Sequence, residues 1–202
     1  MTLPNKITIF RILIIPVMVV LIYIKPLNDI KTIFEMSLSQ LLFACLFIIG
    51  SLSDLLDGYL ARKLNKVTTF GKFLDPIADK LLTIASFLYL VKIGNIEMWI
   101  LLVILFREFI VSGIRMLTAA RNIIIPADIW GKIKTTFTMI SLIFILFNEF
   151  GLKELTKVDV LVPYFGNIGL VSIVLLLITV VLTLQSGINY FIKSKDIVLE
   201  SI

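Results

Sequence analysis

The feature that most constrains this chain is a series of apolar runs, each long enough to cross a lipid bilayer. A membrane-spanning helix needs about 20 consecutive, mostly apolar residues. Six segments are predicted to be such helices, and they cover residues 7–24, 38–60, 73–91, 98–117, 129–147 and 165–190. The sequence therefore predicts an all-α, polytopic membrane protein with six transmembrane helices and a single integral membrane domain over residues 1–202.

Composition and charge support a membrane location. Of the 202 residues 59% are hydrophobic and only 16% are charged, whereas soluble domains carry roughly 25% charged residues. The sequence pI of about 9.3 is explained by the positive-inside rule, which concentrates basic residues on the cytosolic side of a membrane, and not by nucleic-acid binding. Most of the 19 lysines and arginines fall on one side of the predicted helices. We therefore expect both termini and the charged site in the cytosol, at a bacterial cell membrane.

Four aspartates interrupt the apolar pattern at adjacent helix ends. The chain has no histidine and one cysteine, so its chemistry must use carboxylates, lysine, arginine or hydroxyl groups. Asp54 and Asp57 close the second predicted span, while Asp75 and Asp79 open the third. Residues three or four apart share one face of a helix. Two antiparallel helices joined by a short basic loop would bring these two faces together.

These carboxylates favour a metal site. Four carboxylates at one membrane depth repel each other unless cations lie between them. Oxygen ligands without histidine or cysteine favour Mg²⁺ or Mn²⁺, and carboxylate-bound magnesium commonly also binds phosphate. Small residues nearby, Gly58, Ala61 and Gly71, would let a nucleotide approach the backbone. The alternative from the residues alone is a purely structural charge network with the neighbouring lysines and arginine.

The spacing of this segment also carries a resemblance. The pattern Asp54-x2-Asp57-Gly58-x2-Ala61-Arg62-x8-Gly71-x3-Asp75-x3-Asp79 matches the signature of the CDP-alcohol phosphotransferase family. The resemblance implies a six-helix membrane fold, a homodimer and two divalent metal ions, Mg²⁺ or Mn²⁺. It also implies a reaction in which an alcohol attacks a CDP-linked lipid and CMP leaves.

The family's residue roles transfer to this sequence position by position. The resemblance implies four metal ligands, which are Asp54, Asp57, Asp75 and Asp79, and it makes Asp79 the catalytic base that deprotonates the attacking hydroxyl. The residues implied to border the CDP group are Asp54, Gly58, Ala61, Arg62 and Gly71.

A second set of charges is predicted to bind the acceptor. Arg107 and Arg115 are eight residues apart, roughly two helical turns, and Lys132 and Lys134 begin the next predicted span. Several cations at the depth of an anionic metal site are best explained by an anionic acceptor, above all a phosphate. The alternative is that these residues only follow the positive-inside rule.

Further windows narrow the resemblance to one branch of the family. The segments Leu3-Pro4-Asn5-Lys6-Ile7-Thr8-x2-Arg11, Arg107-Glu108 and Gly131-Lys132-x-Lys134-Thr135 resemble the branch that uses glycerol 3-phosphate. That branch transfers the phosphatidyl group of CDP-diacylglycerol to glycerol 3-phosphate in phospholipid biosynthesis. The alternatives within the family are phosphatidylglycerol (a cardiolipin synthase), serine, inositol or inositol phosphate as acceptor. Outside it they are a divalent-cation transporter or an inactive scaffold.

Overall fold

Helices make up nearly all of the chain that the computed structural model describes, which is residues 3–63, 69–120 and 129–199. In chain order the helices are α1 (Leu3–Tyr23), α2 (Lys25–Asp29), α3 (Leu38–Lys63), α4 (Thr69–Lys92), α5 (Met98–Ala120), α6 (Ile129–Leu146), α7 (Lys153–Thr156), α8 (Val162–Phe165) and α9 (Leu170–Leu199). Within these described ranges the backbone forms no β-strand, only two isolated bridges. The prediction of an all-α fold is confirmed.

Several of the long helices are suited to a bilayer. In the described residues four segments are long and apolar enough to cross a membrane, and they are Asn5–Tyr23, Leu38–Gly58, Ile129–Leu146 and Leu170–Lys195. Helices α4 and α5 are of similar length, 24 and 23 residues, but both carry several charged side chains. The chain is therefore a membrane protein, and for α4 and α5 the crossing remains a prediction.

The last long helix differs from its predicted bounds. It runs from Leu170 to Leu199, whereas the apolar pattern predicted 165–190. Gly166 ends α8 with a φ of +94°, and a Cβ there would lie 2.6 Å from the backbone oxygen of Asn95. The helix then begins beside Gly169, whose N–H donates to the buried carboxylate of Glu149. A glycine turn and a buried carboxylate thus delay α9, and the connection from α6 to α9 is a folded segment instead of a short loop.

The long helices pack as two groups of three. Helix α1 packs mainly against α3 and α4, and α9 packs mainly against α5 and α6; we call these groups the α1–α3–α4 half and the α5–α6–α9 half. Gly50 lets α4 approach α3, since a Cβ there would lie 3.0 Å from Leu82 Cδ2. The shared apolar core draws on all six long helices, with members such as Met18, Phe47, Leu90, Ile100, Leu142 and Ile173.

Most of the charged residues singled out in the sequence lie toward one end of the bundle. They lie in the N-terminal halves of α1, α4 and α6, near the C-terminal end of α3, and from the middle of α5 (Arg107) toward its C-terminal end (Arg115). Ion pairs from α1 to α3 and α4, and from α6 to α5, place these regions on the same side of the bundle. The fold therefore gathers the charges predicted to form a site.

Candidate functional site

Arg11 lies at the centre of the aspartate cluster. This α1 side chain is fully buried, and its Nη1 lies 2.9 Å from Oδ1 of Asp54 and 2.9 Å from Oδ1 of Asp79. Its Nη2 lies 2.6 Å from Oδ2 of Asp57, and its Nε donates to Ser53 Oγ at 3.3 Å. One guanidinium thus joins carboxylates from α3 and α4, which confirms that the two helix ends converge.

Thr8 extends this contact to the fourth aspartate. It precedes Arg11 by three residues, so both side chains face the same neighbours from α1. The Thr8 hydroxyl lies 2.8 Å from Oδ1 of Asp75 and 3.4 Å from Oδ2 of Asp57. Through these two residues α1 contacts all four carboxylates.

The cluster has the donor chemistry of a divalent cation site. Four carboxylates face one guanidinium, so the group has a formal charge of −3 before any ion is added. The side chains of Asp54 and Asp79 are 37% and 41% exposed, so ions can reach their oxygens. Within the described residues no three acidic side chains are spaced to hold an ion as they stand, and the Arg11 guanidinium lies among the aspartates. In donor type and net charge the residues fit Mg²⁺ or Mn²⁺.

The α5–α6–α9 half contains the reverse arrangement, one carboxylate between two cations. Glu108 Oε1 accepts hydrogen bonds from Arg107 Nη1 at 2.8 Å and from Lys134 Nζ. The other Arg107 terminal nitrogen, Nη2, donates to Ser186 Oγ of α9 at 2.6 Å. The three charged side chains are at most 20% exposed. Charges this deeply placed between helices need partners, and here they supply one another.

A cavity of about 490 Å³ connects the two charge clusters. Asp79 and Lys80 of α4 line it on one side, and Lys80 donates to Ser112 of α5. All four cations predicted to bind the acceptor also line it, and they are Arg107, Arg115, Lys132 and Lys134. Among the described residues that line the cavity, Asp79 is the only one of the four aspartates. A ligand in this cavity would contact the acidic cluster at Asp79 and the cations together.

The chain matches the sequence pattern of a known protein family. A family model described as CDP-alcohol phosphatidyltransferase matches residues 1–185. The chain belongs to this family. Members of the CDP-alcohol phosphatidyltransferase family use divalent metal ions, in agreement with the carboxylate-rich cluster.

Individual relatives match along nearly the whole chain. It is 38% identical over 198 residues to the CDP-diacylglycerol–glycerol-3-phosphate 3-phosphatidyltransferase of Bacillus subtilis (strain 168), covering 96% of this chain and 95% of that protein. Proteins of the same name from Rickettsia typhi and Haemophilus influenzae are 38% and 32% identical, covering 96% and 99% of this chain and 97% of each relative. The similarity therefore includes both charge clusters.

The residues predicted to border CDP are only partly described by the structure. Gly58 is half-buried on α3, one residue after Asp57, and Gly71 is buried in the first turn of α4. Ala61 and Arg62 belong to α3, but their side chains lie outside the described residues. Their predicted contacts with CDP remain predictions.

Several residues that organise the site have no role assigned from the sequence. Arg11 and Thr8 appear there only within an N-terminal pattern, and Glu108 only within the Arg107-Glu108 pair. A signal was present, because an arginine inside an apolar span is costly unless it finds an acidic partner. For Ser186 there was no comparable signal, since its contact depends on how α9 packs against α5.

Proposed function

We propose that this protein transfers the phosphatidyl group of CDP-diacylglycerol to sn-glycerol 3-phosphate, which gives phosphatidylglycerophosphate and CMP. Family membership supports a transfer from a CDP-linked lipid. The names of the Bacillus, Rickettsia and Haemophilus relatives support glycerol 3-phosphate as the acceptor. The protein is then a CDP-diacylglycerol–glycerol-3-phosphate 3-phosphatidyltransferase of phospholipid biosynthesis.

The observation that carries this proposal is the cavity that Asp79 shares with the cations. Five of its lining side chains are cationic, Lys80, Arg107, Arg115, Lys132 and Lys134, and two, Asp79 and Glu108, are acidic. Glycerol 3-phosphate has the matching polarity, with a phosphate dianion at one end and a free hydroxyl at the other. The cations would bind the phosphate through charge-assisted hydrogen bonds, which leaves the hydroxyl to face Asp79.

Glu108 has a positioning role in this pocket. It fixes Arg107 and Lys134 through the contacts described above, and Ser186 fixes the second terminal nitrogen of Arg107. Side chains held in place before binding lose less conformational entropy when the ligand arrives. The pocket therefore presents oriented donors to the phosphate, and Glu108 offsets part of their mutual repulsion.

Asp79 acts as the general base. Its carboxylate accepts the proton of the attacking hydroxyl as the oxygen forms a bond to the phosphorus that carries diacylglycerol. The phosphoanhydride bond to CMP breaks, and the CMP phosphate takes the bonding electron pair. Placing a base next to a bound alcohol is a common source of rate enhancement, worth about 10²–10⁴-fold.

The aspartate cluster would bind divalent cations and the CDP group. Asp54, Asp57, Asp75 and Asp79 would hold two Mg²⁺ or Mn²⁺ ions, which neutralise the charge of the two phosphates when bound. The CDP group would lie against Asp54 and the small residues Gly58 and Gly71, with Ala61 and Arg62 completing its binding site.

The proposed enzyme is a single domain that crosses a bacterial cell membrane six times and works as a homodimer. Helices α4 and α5 contain 24 and 23 residues, enough for a bilayer core of about 30 Å at 1.5 Å per residue. Their charges pair across helix contacts, as the Glu108–Lys134 pair does. With six crossings both ends of the chain lie on the same side as the active site, and the positive-inside rule makes this the cytosolic side.

The reaction is tested by measuring CMP release from CDP-diacylglycerol by the purified protein in detergent. Glycerol 3-phosphate, serine, inositol phosphate and phosphatidylglycerol are offered separately, each with Mg²⁺, with Mn²⁺ and with EDTA. We expect release that requires a metal and glycerol 3-phosphate. Release with another acceptor would overturn the assignment of the phosphate pocket. No release with any acceptor, together with metal flux in proteoliposomes, would favour a transporter.

A further inference from the structure

Arg11 contacts the aspartates of the candidate metal site but has no role in the reaction proposed above. It is fully buried, and its two terminal nitrogens contact carboxylates of Asp54, Asp57 and Asp79 at 2.6–2.9 Å. These carboxylates are the ones assigned to divalent cations above. The same oxygen atoms therefore have two potential partners, the guanidinium and a metal ion.

We propose that Arg11 is a built-in competitor of the divalent cations, which keeps the aspartates assembled and sets how tightly they bind metal. This inference rests on the proposed metal-dependent function. A carboxylate oxygen that donates electron density to a guanidinium is a poorer ligand for Mg²⁺, and the positive charge of Arg11 also repels an incoming cation. Metal binding would require at least part of the Arg11 contacts to lengthen.

The neighbours of Arg11 indicate that its guanidinium is held in place independently of the aspartates. Ser53 accepts from Nε of Arg11 at 3.3 Å and donates to the backbone oxygen of Gly50 at 2.7 Å, which ties the guanidinium to the α3 backbone. Thr8 holds Asp75 and Asp57 from the preceding turn of α1. The side chains of Asp54 and Asp79 are partly exposed, so their carboxylates can shift toward an ion while Arg11 stays anchored.

The competition has two opposite consequences for one substitution. Without Arg11 four carboxylates would face each other with no cation among them, and a buried group of like charges is strongly destabilising. Divalent ions would then bind more tightly, since they no longer displace a guanidinium. A merely structural role for Arg11 would lower stability but would leave metal affinity unchanged.

The test compares the Arg11→Met, Arg11→Lys and wild-type proteins, all purified in detergent. The dissociation constant for Mn²⁺ is measured by titration calorimetry without substrate, and the thermal midpoint is measured in EDTA and in Mn²⁺. The Lys153→Met protein is the matched control: it also loses one positive charge, but in the α6–α9 connection.

We expect Arg11→Met to lower the Mn²⁺ dissociation constant by about tenfold, a typical size for coupling between two ligands of one site. Its midpoint should be lower than that of the wild type in EDTA and should rise further on addition of Mn²⁺, because tighter binding gives greater stabilisation. Arg11→Lys keeps the charge but not the two-nitrogen contact, so its dissociation constant should fall by less. Lys153→Met should keep the wild-type dissociation constant for Mn²⁺.

An unchanged or weaker Mn²⁺ affinity in both Arg11 variants, with normal binding by the wild type, would overturn the competitor role and leave the proposed reaction intact. If the wild type itself binds no divalent cation, the proposed metal-dependent function fails as well. If Arg11→Met cannot be purified, the sign of the affinity change in Arg11→Lys decides the question alone.

Discussion

The two halves of the molecule carry charge clusters of opposite composition. In the α1–α3–α4 half one cation, Arg11, contacts three of the cluster's four carboxylates, and in the α5–α6–α9 half one carboxylate, Glu108, contacts two cations. In each cluster the oppositely charged residue, Arg11 or Glu108, reduces the repulsion between the like charges around it. The majority charge then remains in excess and is available to a ligand.

The difference between the halves defines the polarity of what can bind between them. The acidic cluster has an excess of three negative charges, which suits cations, and the cavity wall on the other half has an excess of positive charge, which suits anions. Asp79 is where the two environments meet. The two proposed substrates would use both environments: the phosphate of glycerol 3-phosphate would bind the cations, and the CDP phosphates would bind at the acidic cluster with its metal ions.

The largest expected effect comes from removing the charge at the meeting point. Asp79→Asn should reduce the rate of CMP release by at least about 1,000-fold, because the proposed base is lost and a proposed metal ligand is weakened. Binding of CDP-diacylglycerol, measured by protection against thermal unfolding, should be largely retained. Asp159→Asn, at an exposed position in the α6–α9 connection, is the matched control and should behave as the wild type. Substantial residual activity in Asp79→Asn would assign the base elsewhere.

The second prediction concerns stability and removes the negative charge of Glu108. Glu108→Gln leaves Arg107 and Lys134 buried without their counterion, so the free energy of unfolding should fall by about 3–5 kcal/mol. The Lys157–Asp159 pair, at 3.7 Å with Asp159 91% exposed, offers the contrast: Asp159→Asn should change stability by about 0–1 kcal/mol. Thermal or denaturant unfolding in detergent measures both. Equal effects would show that Glu108 does not hold its cluster together.

The excess positive charge is tested at Arg115, which lines the cavity and lies 5.3 Å from the centre of the Tyr190 ring. Losing one charge-assisted contact costs about 1.5–3 kcal/mol, so Arg115→Ala should raise the KM for glycerol 3-phosphate at least about tenfold. The KM for CDP-diacylglycerol should stay the same, and Arg115→Lys should recover part of the loss. An unchanged KM for the acceptor would remove Arg115 from the pocket.

The smallest expected effect comes from a substitution that moves Arg107 without changing any charge. A Cβ at Gly187 would lie 3.1 Å from Cγ of Arg107, so Gly187→Ala should displace Arg107 and raise the acceptor KM by about two- to fivefold, less than the loss of a full contact. Gly113→Ala is the control, since nothing lies within 4 Å of its Cβ position. That variant should keep its KM and gain up to about 1 kcal/mol in stability. A normal KM in Gly187→Ala would mean that Arg107 tolerates displacement.

Much of the fold and of the site was predictable because membrane helices have few ways to satisfy their polar groups. The lengths of the apolar runs predicted the six long helices, and the spacing of the aspartates predicted that α3 and α4 bring them together. The start of α9 was wrong by five residues, since apolar side chains before Leu170 belong to a segment that Gly166 turns and Glu149 holds. Hydropathy does not distinguish such a folded segment from helix.

The partner of each charge was harder to predict than its presence. The positive-inside rule explains why basic residues are present but does not name their partners. The role of Arg11 depends on how α1 packs against α3 and α4, which residue spacing does not predict. The four cations predicted to bind the acceptor line one cavity, while their binding of the acceptor stays a prediction. The sequence did not indicate that Glu108 contacts two of them.

The position of Arg11 also bears on how the protein is made. Its acidic partners lie 43, 46 and 68 residues further along the chain, so α1 is synthesised well before any of them. An arginine at the centre of a membrane helix opposes insertion by about 2.5–3.5 kcal/mol, less near an end, where the side chain can reach the headgroups. During translation Arg11 therefore depends on lipid phosphates or water, and the arrival of α3 and α4 transfers it to protein carboxylates. Assembly of the aspartate cluster should therefore stabilise the first helix in the membrane.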